Sequence, residues 1–271
     1  MRTIAHISDL HFGRADPAVL EGLKHAIQQA KPDVVVVSGD LTQRARKREF
    51  MQARDFLQDL PQPQIVVPGN HDVPLYNVLK RWLVPLSNFR RYIDKDPAPF
   101  YADREIAVLG LNTARAFTFK NGRINHRQVA KACARFEPLG EHAVRVVATH
   151  HPFAVPESGT KHTTVGRAKM AMRTLADCKV DIVLSGHLHL SQAITSDMVY
   201  ADHRAALLIQ AGTASSSRRR HEANAFNLLT LEGDRVVVER HGWENRGFAA
   251  IAREAFRRDS RGWTKVHLAQ T

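Results

Sequence analysis

Cysteine is scarce. Cys133 and Cys178 are the only two in 271 residues, too few for a disulfide framework. Neither sits in a CxxC pair, so a thiolate zinc site is not expected. Both read as ordinary small side chains, one in a helix and one just before a strand. Long apolar runs are also missing. No stretch reaches the roughly 20 residues that a membrane-spanning helix needs. The opening MRTIAHISDL breaks its apolar run with His6, Ser8 and Asp9, so it reads as a strand and not as a secretion signal. A cytoplasmic protein is the expectation. Acidic residues are few: 27 Asp and Glu face 39 Lys and Arg, a formal net charge of +12. That excess favours anionic partners, whether small phosphorylated molecules, nucleic acid or an acidic membrane surface.

What is present begins as an alternation of strands and helices. Ile4 to Ile7 is a short strand. Asp16-Pro17 starts a helix, with Asp as the cap and Pro at the first helical position. Val19, Leu20, Leu23 and Ile27 give that helix a buried face. Val34 to Val37 is a β-branched run, the mark of a strand covered on both faces. A second helix is expected over Arg46 to Leu60 and a third strand over Gln64 to Pro68. Strand, helix, strand, helix, strand argues an α/β layered architecture. Further strands are expected at Ile106–Leu111, Ala143–Thr149 and Val180–Ser185, with helices at Asn125–Phe136 and Val165–Leu175. From about residue 191 the pattern turns to antiparallel strands, with Glu232-Gly233-Asp234 as a hairpin signal. Residues 73–104 look like an insertion beside the site, rich in proline and carrying Trp82, Phe89, Arg90, Arg91 and Tyr92. Beyond a domain over 1–243, residues 244–271 read as a basic amphipathic extension. Phe248, Ile251, Ala252, Ala255 and Phe256 recur at helical spacing, predicting a terminal helix packed on the domain.

Chemistry concentrates in five segments: ISDLHFG, VVVVSGDLT, IVVPGNHDVP, VVATHHP and IVLSGHLHL. Each places Asp, His or Asn directly after an apolar strand. In an α/β sheet the carboxyl ends of strands open on one crevice, so these residues can converge. Asp9, His11, Asp40, Asn70, His150, His187 and His189 are the candidate metal ligands. The set mixes carboxylate, imidazole and one amide oxygen, without thiolate. It suits manganese, iron (Fe2+/Fe3+), zinc or cobalt better than a dedicated magnesium or calcium site. Seven ligands exceed one tetrahedral ion and fit a pair of ions sharing a carboxylate, the clamp used in phosphoryl hydrolysis.

With Asp9-Leu-His11, Gly39-Asp40, Gly69-Asn70-His71-Asp72, His150 and Gly186-His187-Leu188-His189 in this order, the chain resembles the calcineurin-like metallophosphoesterases. Its wording is closest to the bacterial cyclic-nucleotide and glycerophosphodiester phosphodiesterase group. The resemblance implies a four-layer αββα sandwich. It implies one metal on Asp9, His11, Asp40 and His189, and a second on Asp40, Asn70, His150 and His187, bridged by Asp40 and a hydroxide. It further implies that His71 acts on the phosphoryl group and that Asp72 orients it, a helix cap being the other reading of Asp72. His151 is expected to line the pocket, packing beneath the site being the other reading. The implied activity is hydrolysis of a small phosphodiester, with 3′,5′-cyclic AMP as the named expectation. The alternatives are a UDP-sugar-lipid pyrophosphatase, a broad phosphomonoesterase or nuclease using Arg218, Arg219 and Arg220, and a metal-bound scaffold without activity. A homodimer and a peripheral membrane contact through the basic tail complete the expectations.

Overall fold

The computed structural model describes residues 1–118, 120–140, 142–155, 164–201, 203–215 and 223–267. In chain order the elements are β1 (Arg2–Ile7), α1 (Pro17–Ala30), β2 (Val34–Val37), α2 (Lys47–Gln58), β3 (Gln64–Val66), a 3-10 turn (Asn70–Asp72), α3 (Val78–Leu83), α4 (Ser87–Tyr92), β4 (Phe100–Ala102) and β5 (Ile106–Gly110). They continue with α5 (His126–Phe136), β6 (Val144–Ala148), α6 (Ala168–Asp177), β7 (Ile182–Ser185), β8 (Gln192–Thr195), β9 (Leu207–Gln210), β10 (Ala225–Glu232), β11 (Arg235–Glu244), β12 (Gly247–Asp259) and β13 (Gly262–Val266).

Two sheets form the centre. One runs β13-β12-β11-β10-β1-β2-β3 and the other β4-β5-β6-β7-β9-β8. β1, β2 and β3 are mutually parallel, as are β5, β6, β7 and β9. The period of 2 along a strand sorts side chains into layers. Val34 and Val36 join Ile4, Val146 and Ile182 in the core between the sheets. Val35 and Val37 point the other way, onto Leu23 and Ile27 of α1 and Phe50 of α2. On the far side, α5 and α6 cover the second sheet through Val129, Ala132, Ala171 and Met172 against Val147 and Val183. The result is the four-layer αββα sandwich. It also explains why VVVV has no polar interruption: both of its faces are buried.

Two expectations are corrected. Residues 247–266 form β12 and β13, not a helix. β12 pairs with β11 from Glu244↔Gly247 to Arg235↔Arg257. Asn245 and Arg246, with φ of 48° and 66°, make the two-residue turn with both φ positive that matches the twist of a hairpin. The boundary at 243/244 therefore falls at a hairpin tip. Cys133 and Cys178 are not separate small side chains. They form a disulfide between α5 and the end of α6, with Cα atoms 5.4 Å apart. Neighbouring helices placed them within bridging range, a fact that their separation of 45 residues hides. Among the described residues no helix is long and apolar enough to cross a membrane.

Candidate metal centre

Each of the seven candidate ligands follows the carboxyl end of a parallel strand. Asp9 and His11 follow β1, Asp40 follows β2, Asn70 follows β3, His150 follows β6, and His187 and His189 follow β7. Backbone bonds join neighbouring loops within each sheet: Asp9 N donates to the Gly39 carbonyl at 3.0 Å, His11 N to the Asp40 carbonyl at 2.9 Å, and Gly186 N to the His150 carbonyl at 3.0 Å. Five of the seven ligands lie in the left-handed region, with φ of 55° at Asp9, 48° at His11, 53° at Asp40, 75° at His187 and 57° at His189. Such backbones are uncommon outside glycine and cluster at functional sites, where packing holds them. Two glycines permit the close approach. A Cβ at Gly69 would lie 2.1 Å from Asp40 Oδ1, and one at Gly186 would lie 1.8 Å from Ser8 Oγ.

The side chains gather in two groups around Asp40. On one side His150 Nε2 lies 3.0 Å from Asn70 Oδ1, 3.2 Å from His187 Nδ1 and 3.4 Å from Asp40 Oδ1. The other nitrogen of His150, Nδ1, donates to the Ser38 carbonyl at 2.8 Å, which aims the Nε2 lone pair inward. On the other side His11 Nε2 lies 3.5 Å from Asp9 Oδ1 and 4.0 Å from Asp40 Oδ2, while His189 Nδ1 lies 3.9 Å from Asp9 Oδ1. His189 Nδ1 also contacts Thr213 Oγ1. Asp9 Oδ2 accepts from Ser8 Oγ at 2.5 Å and from His187 N at 3.0 Å. Asp9 Oδ1 is buried without a regular hydrogen bond. Asp9, His11 and His189 can hold one ion by the spacing of their ligand atoms, and Asp9, Asp40 and His150 also lie within range of a common ion.

Charge follows from this burial. Desolvation pushes the Asp40 carboxyl up, but the neighbouring His150, His71 and His11 outweigh it and hold Asp40 well below the usual carboxylate range. Reciprocally, burial pushes His150 down while Asp40 and Asp9 pull it up, to about 9. Burial and the nearby His150 lower His187 to about 4. Two ionised carboxylates in a closed site demand positive charge, and divalent cations meet that demand.

His71 stands beside both groups. Its backbone N donates to Asp40 Oδ1 at 2.8 Å, and its Nδ1 donates to the Gln43 carbonyl at 2.8 Å. Nε2 is then the ring nitrogen available to a ligand. The ring meets that of His11 edge-on, centroids 5.0 Å apart.

Residues 2–191 match the calcineurin-like phosphoesterase family. The chain belongs to that family. Among curated proteins it is 39% identical over 85 residues to glycerophosphodiester phosphodiesterase GpdQ of Enterobacter lignolyticus, covering 26% of this chain and 29% of that one. It is 32% identical over 81 residues to a probable cyclic nucleotide phosphodiesterase of Synechococcus, covering 27% and 32%. The chain thus spans about three tenths of the curated relatives it matches. In fold it is similar to purple acid phosphatase PPD1 of yellow lupin (Lupinus luteus), with a TM-score of 0.64, 12% identity, and coverage of 96% of this chain and 54% of that one. It is also similar to a dimetal phosphatase from Danio rerio, with a TM-score of 0.62, 16% identity, and coverage of 92% and 98%.

Within this family member two roles expected from sequence are corrected, and in each case the other reading stands: Asp72 caps the Asn70–Asp72 turn, and His151 packs beneath the site. Asp72 does not touch the His71 ring. Its carboxylate accepts from Gly69 N at 2.9 Å, Leu41 N at 3.1 Å, Thr42 N at 2.9 Å and Thr42 Oγ1 at 2.9 Å. It buttons the turn after β3 to the loop after β2, and Gln43 orients His71. Burial and Asp40 raise its carboxyl to about 6. His151 does not line the pocket, being 2% exposed. Both of its ring nitrogens are engaged, Nδ1 with Thr113 Oγ1 at 2.8 Å and Nε2 with the Lys120 carbonyl at 3.0 Å. Although it lies within ligand range of His150 and His187, it offers no lone pair inward and serves as packing beneath them. Sequence reading missed Ser38, Gln43 and Thr113. Two of them act through backbone carbonyls, which every residue carries, so no side-chain signal existed for them. Arg218 to Arg220 lie outside the described residues.

Proposed function

We propose that this protein is a dinuclear metal-dependent phosphodiesterase acting on a small substrate, with 3′,5′-cyclic AMP as the first compound to try. One observation carries the reading. The two oxygens of Asp40 face different ligand groups, His150 at 3.4 Å and His11 at 4.0 Å, as a carboxylate shared between two ions requires. The donors fit such ions. Asp9 Oδ1 is buried and lacks a regular partner, and His150 has its lone pair directed by Ser38. Asp9, His11, Asp40 and His189 would hold one ion, and Asp40, Asn70, His150 and His187 the other. Manganese, iron, zinc and cobalt all match this oxygen and nitrogen set. Bound there, the ions supply charge neutralisation for the phosphoryl oxygens and lower the pKa of water.

The chain's own part is positioning and proton transfer. The Gln43 carbonyl fixes the His71 ring through Nδ1, which presents Nε2 to a phosphoryl oxygen or to the leaving oxygen. With Nδ1–H held by Gln43, Nε2 donates only from the imidazolium form of the ring. That form would stabilise the transition state by a hydrogen bond and give its Nε2 proton to the leaving oxygen, returning to the neutral ring. Asp72 keeps the loops that carry Asp40 and His71 in register. The names of the curated relatives support a diester substrate.

The test is hydrolysis of bis-p-nitrophenyl phosphate by protein loaded with Mn2+, followed by cyclic nucleotides, glycerophosphodiesters, simple monoesters and UDP-linked sugar lipids. We expect His71→Ala to keep its metal content and to lose ~100-fold or more in kcat, the range of general acid catalysis. No turnover with any divalent metal would sink this reading.

A further inference from the structure

Apolar surface is concentrated in one place. Of twelve large apolar side chains that are exposed among the described residues, eight belong to residues 75–84 and Phe117. Leu79, Trp82, Leu83 and Phe117 are 62–77% exposed. They are not strays on a loose loop. Arg81, on the opposite side of α3, is buried. Its guanidinium donates to the carbonyls of Ala116 at 2.5 Å, Pro74 at 2.9 Å and Thr118 at 2.6 Å. That clamp ties α3 to the loop after β5, so Trp82 and Phe117 meet with ring centroids 5.6 Å apart. The exposed face is therefore built, and a patch of this kind marks an interaction surface.

Three segments join the patch in sequence to residues of the candidate centre. Tyr76 and α3 follow directly on Asn70–Asp72. Arg44, whose guanidinium lies over the Tyr76 ring at 5.6 Å, follows the Gln43 that holds His71. Phe117 follows Thr113, which holds His151. The charge of these segments selects the occupant. Residues 41–48, 73–93 and 106–122 hold ten Lys and Arg and no Asp or Glu. Arg44, Arg90, Arg115 and Lys120 are exposed. A second copy of the chain docked here would set this cationic rim against its own duplicate, which costs binding energy. A surface combining Trp, Phe and Leu with Lys and Arg and lacking carboxylates fits an anionic bilayer, where apolar side chains enter the acyl boundary and cations meet the headgroups.

We propose that the α3–Phe117 surface docks this protein on anionic phospholipid membranes, with the centre beside the headgroups. The docking stands on the patch alone. That the centre then acts on phosphodiesters presented at the membrane rests on the phosphodiesterase reading above. The test is flotation of the whole protein with phosphatidylcholine vesicles and with vesicles that also contain phosphatidylglycerol. We expect binding to the anionic vesicles only. The triple variant Leu79→Ser, Trp82→Ser, Leu83→Ser should weaken it by ~100-fold or more, from the apolar area no longer buried. Its hydrolysis of soluble bis-p-nitrophenyl phosphate and its circular dichroism should match the parent. If the triple variant does not fold, Phe117→Ser alone must still weaken binding. Equal binding of parent and variant, equal binding to neutral vesicles, or a solution dimer that the variant dissolves would each overturn the proposal. Vesicle binding without any phosphodiesterase activity would leave the docking standing and remove the functional reading; activity without binding would do the reverse.

Discussion

His6 shows how one side chain near the centre sets an acid limit. It lies on β1, fully buried, with Nε2 2.9 Å from Ser38 Oγ and Nδ1 without a partner. Burial lowers its pKa from 6.5 to about 3, against a smaller opposing pull from Asp9. The folded protein thus keeps His6 neutral where the unfolded chain protonates it. Its contribution to stability is complete above pH 6.5 and shrinks as pH falls toward the folded value. Between pH 7 and pH 5 this amounts to about 2 kcal/mol. Urea unfolding of wild type and His6→Gln at those two pH values should show the variant losing less stability by about that amount. Equal losses would place the acid sensitivity elsewhere. The same buried polar layer decides between the two readings of His151. THHP offers two equivalent imidazoles, and only the neighbourhood of Thr113 and Lys120 decides that the second one faces away.

At the scale of elements, Asp181 joins parts that are far apart in the chain. It stands at the start of β7, 2% exposed. It accepts from Arg145 N on β6 at 2.9 Å, from Arg204 just before β9 at 3.0 Å, and from Arg258 on β12 at 3.2 Å. One carboxylate thereby fixes three strands of the second sheet to the C-terminal hairpin of the first. Asp181→Ala would leave two guanidinium groups short of their anion. Both arginines keep some contact with solvent, 24% for Arg204 and 17% for Arg258, so the cost falls below that of a fully buried pair, at about 2–4 kcal/mol. Thermal or urea unfolding checks this, with hydrolysis at the distant centre expected to be unchanged at a temperature where the variant is folded. The misread tail belongs to this scale too. Phe248, Ile251, Ala252, Ala255 and Phe256 satisfy a helical period, yet ten-residue β11 pairs with β12 along its whole length, with a single register shift at Arg240/His241. Pairing with an existing edge overrides local periodicity.

For the whole molecule, the extension beyond residue 243 carries a testable consequence. Phe256 and Trp263 are 1% and 0% exposed and sit in the core between the sheets. We expect a protein ending at Glu244 to lose two strands, bare the edge of β11 and open that core. Each large buried aromatic is worth about 3–5 kcal/mol, and a domain's whole stability is about 5–15 kcal/mol. The soluble fraction and far-ultraviolet circular dichroism of the shortened chain would measure it. A soluble, folded product with full activity would make 245–271 an independent appendage.

The sequence by itself determined the family and the candidate ligand set. Each of the seven candidate ligands is tied to a strand end by a local pattern, and a strand end is a short-range feature that apolar runs and glycines announce. It also determined the layered alternation through residue 185, because both faces of VVVV, IAVLG and IVLS must be covered. Only the tertiary structure decided the rest. Which carbonyl aims an imidazole, which carboxylate buttons two loops, whether two cysteines 45 residues apart meet, and whether a tail joins a sheet all depend on contacts between distant segments. Side chains at those contacts carry no periodic signature. Their roles are fixed by what the fold sets opposite them.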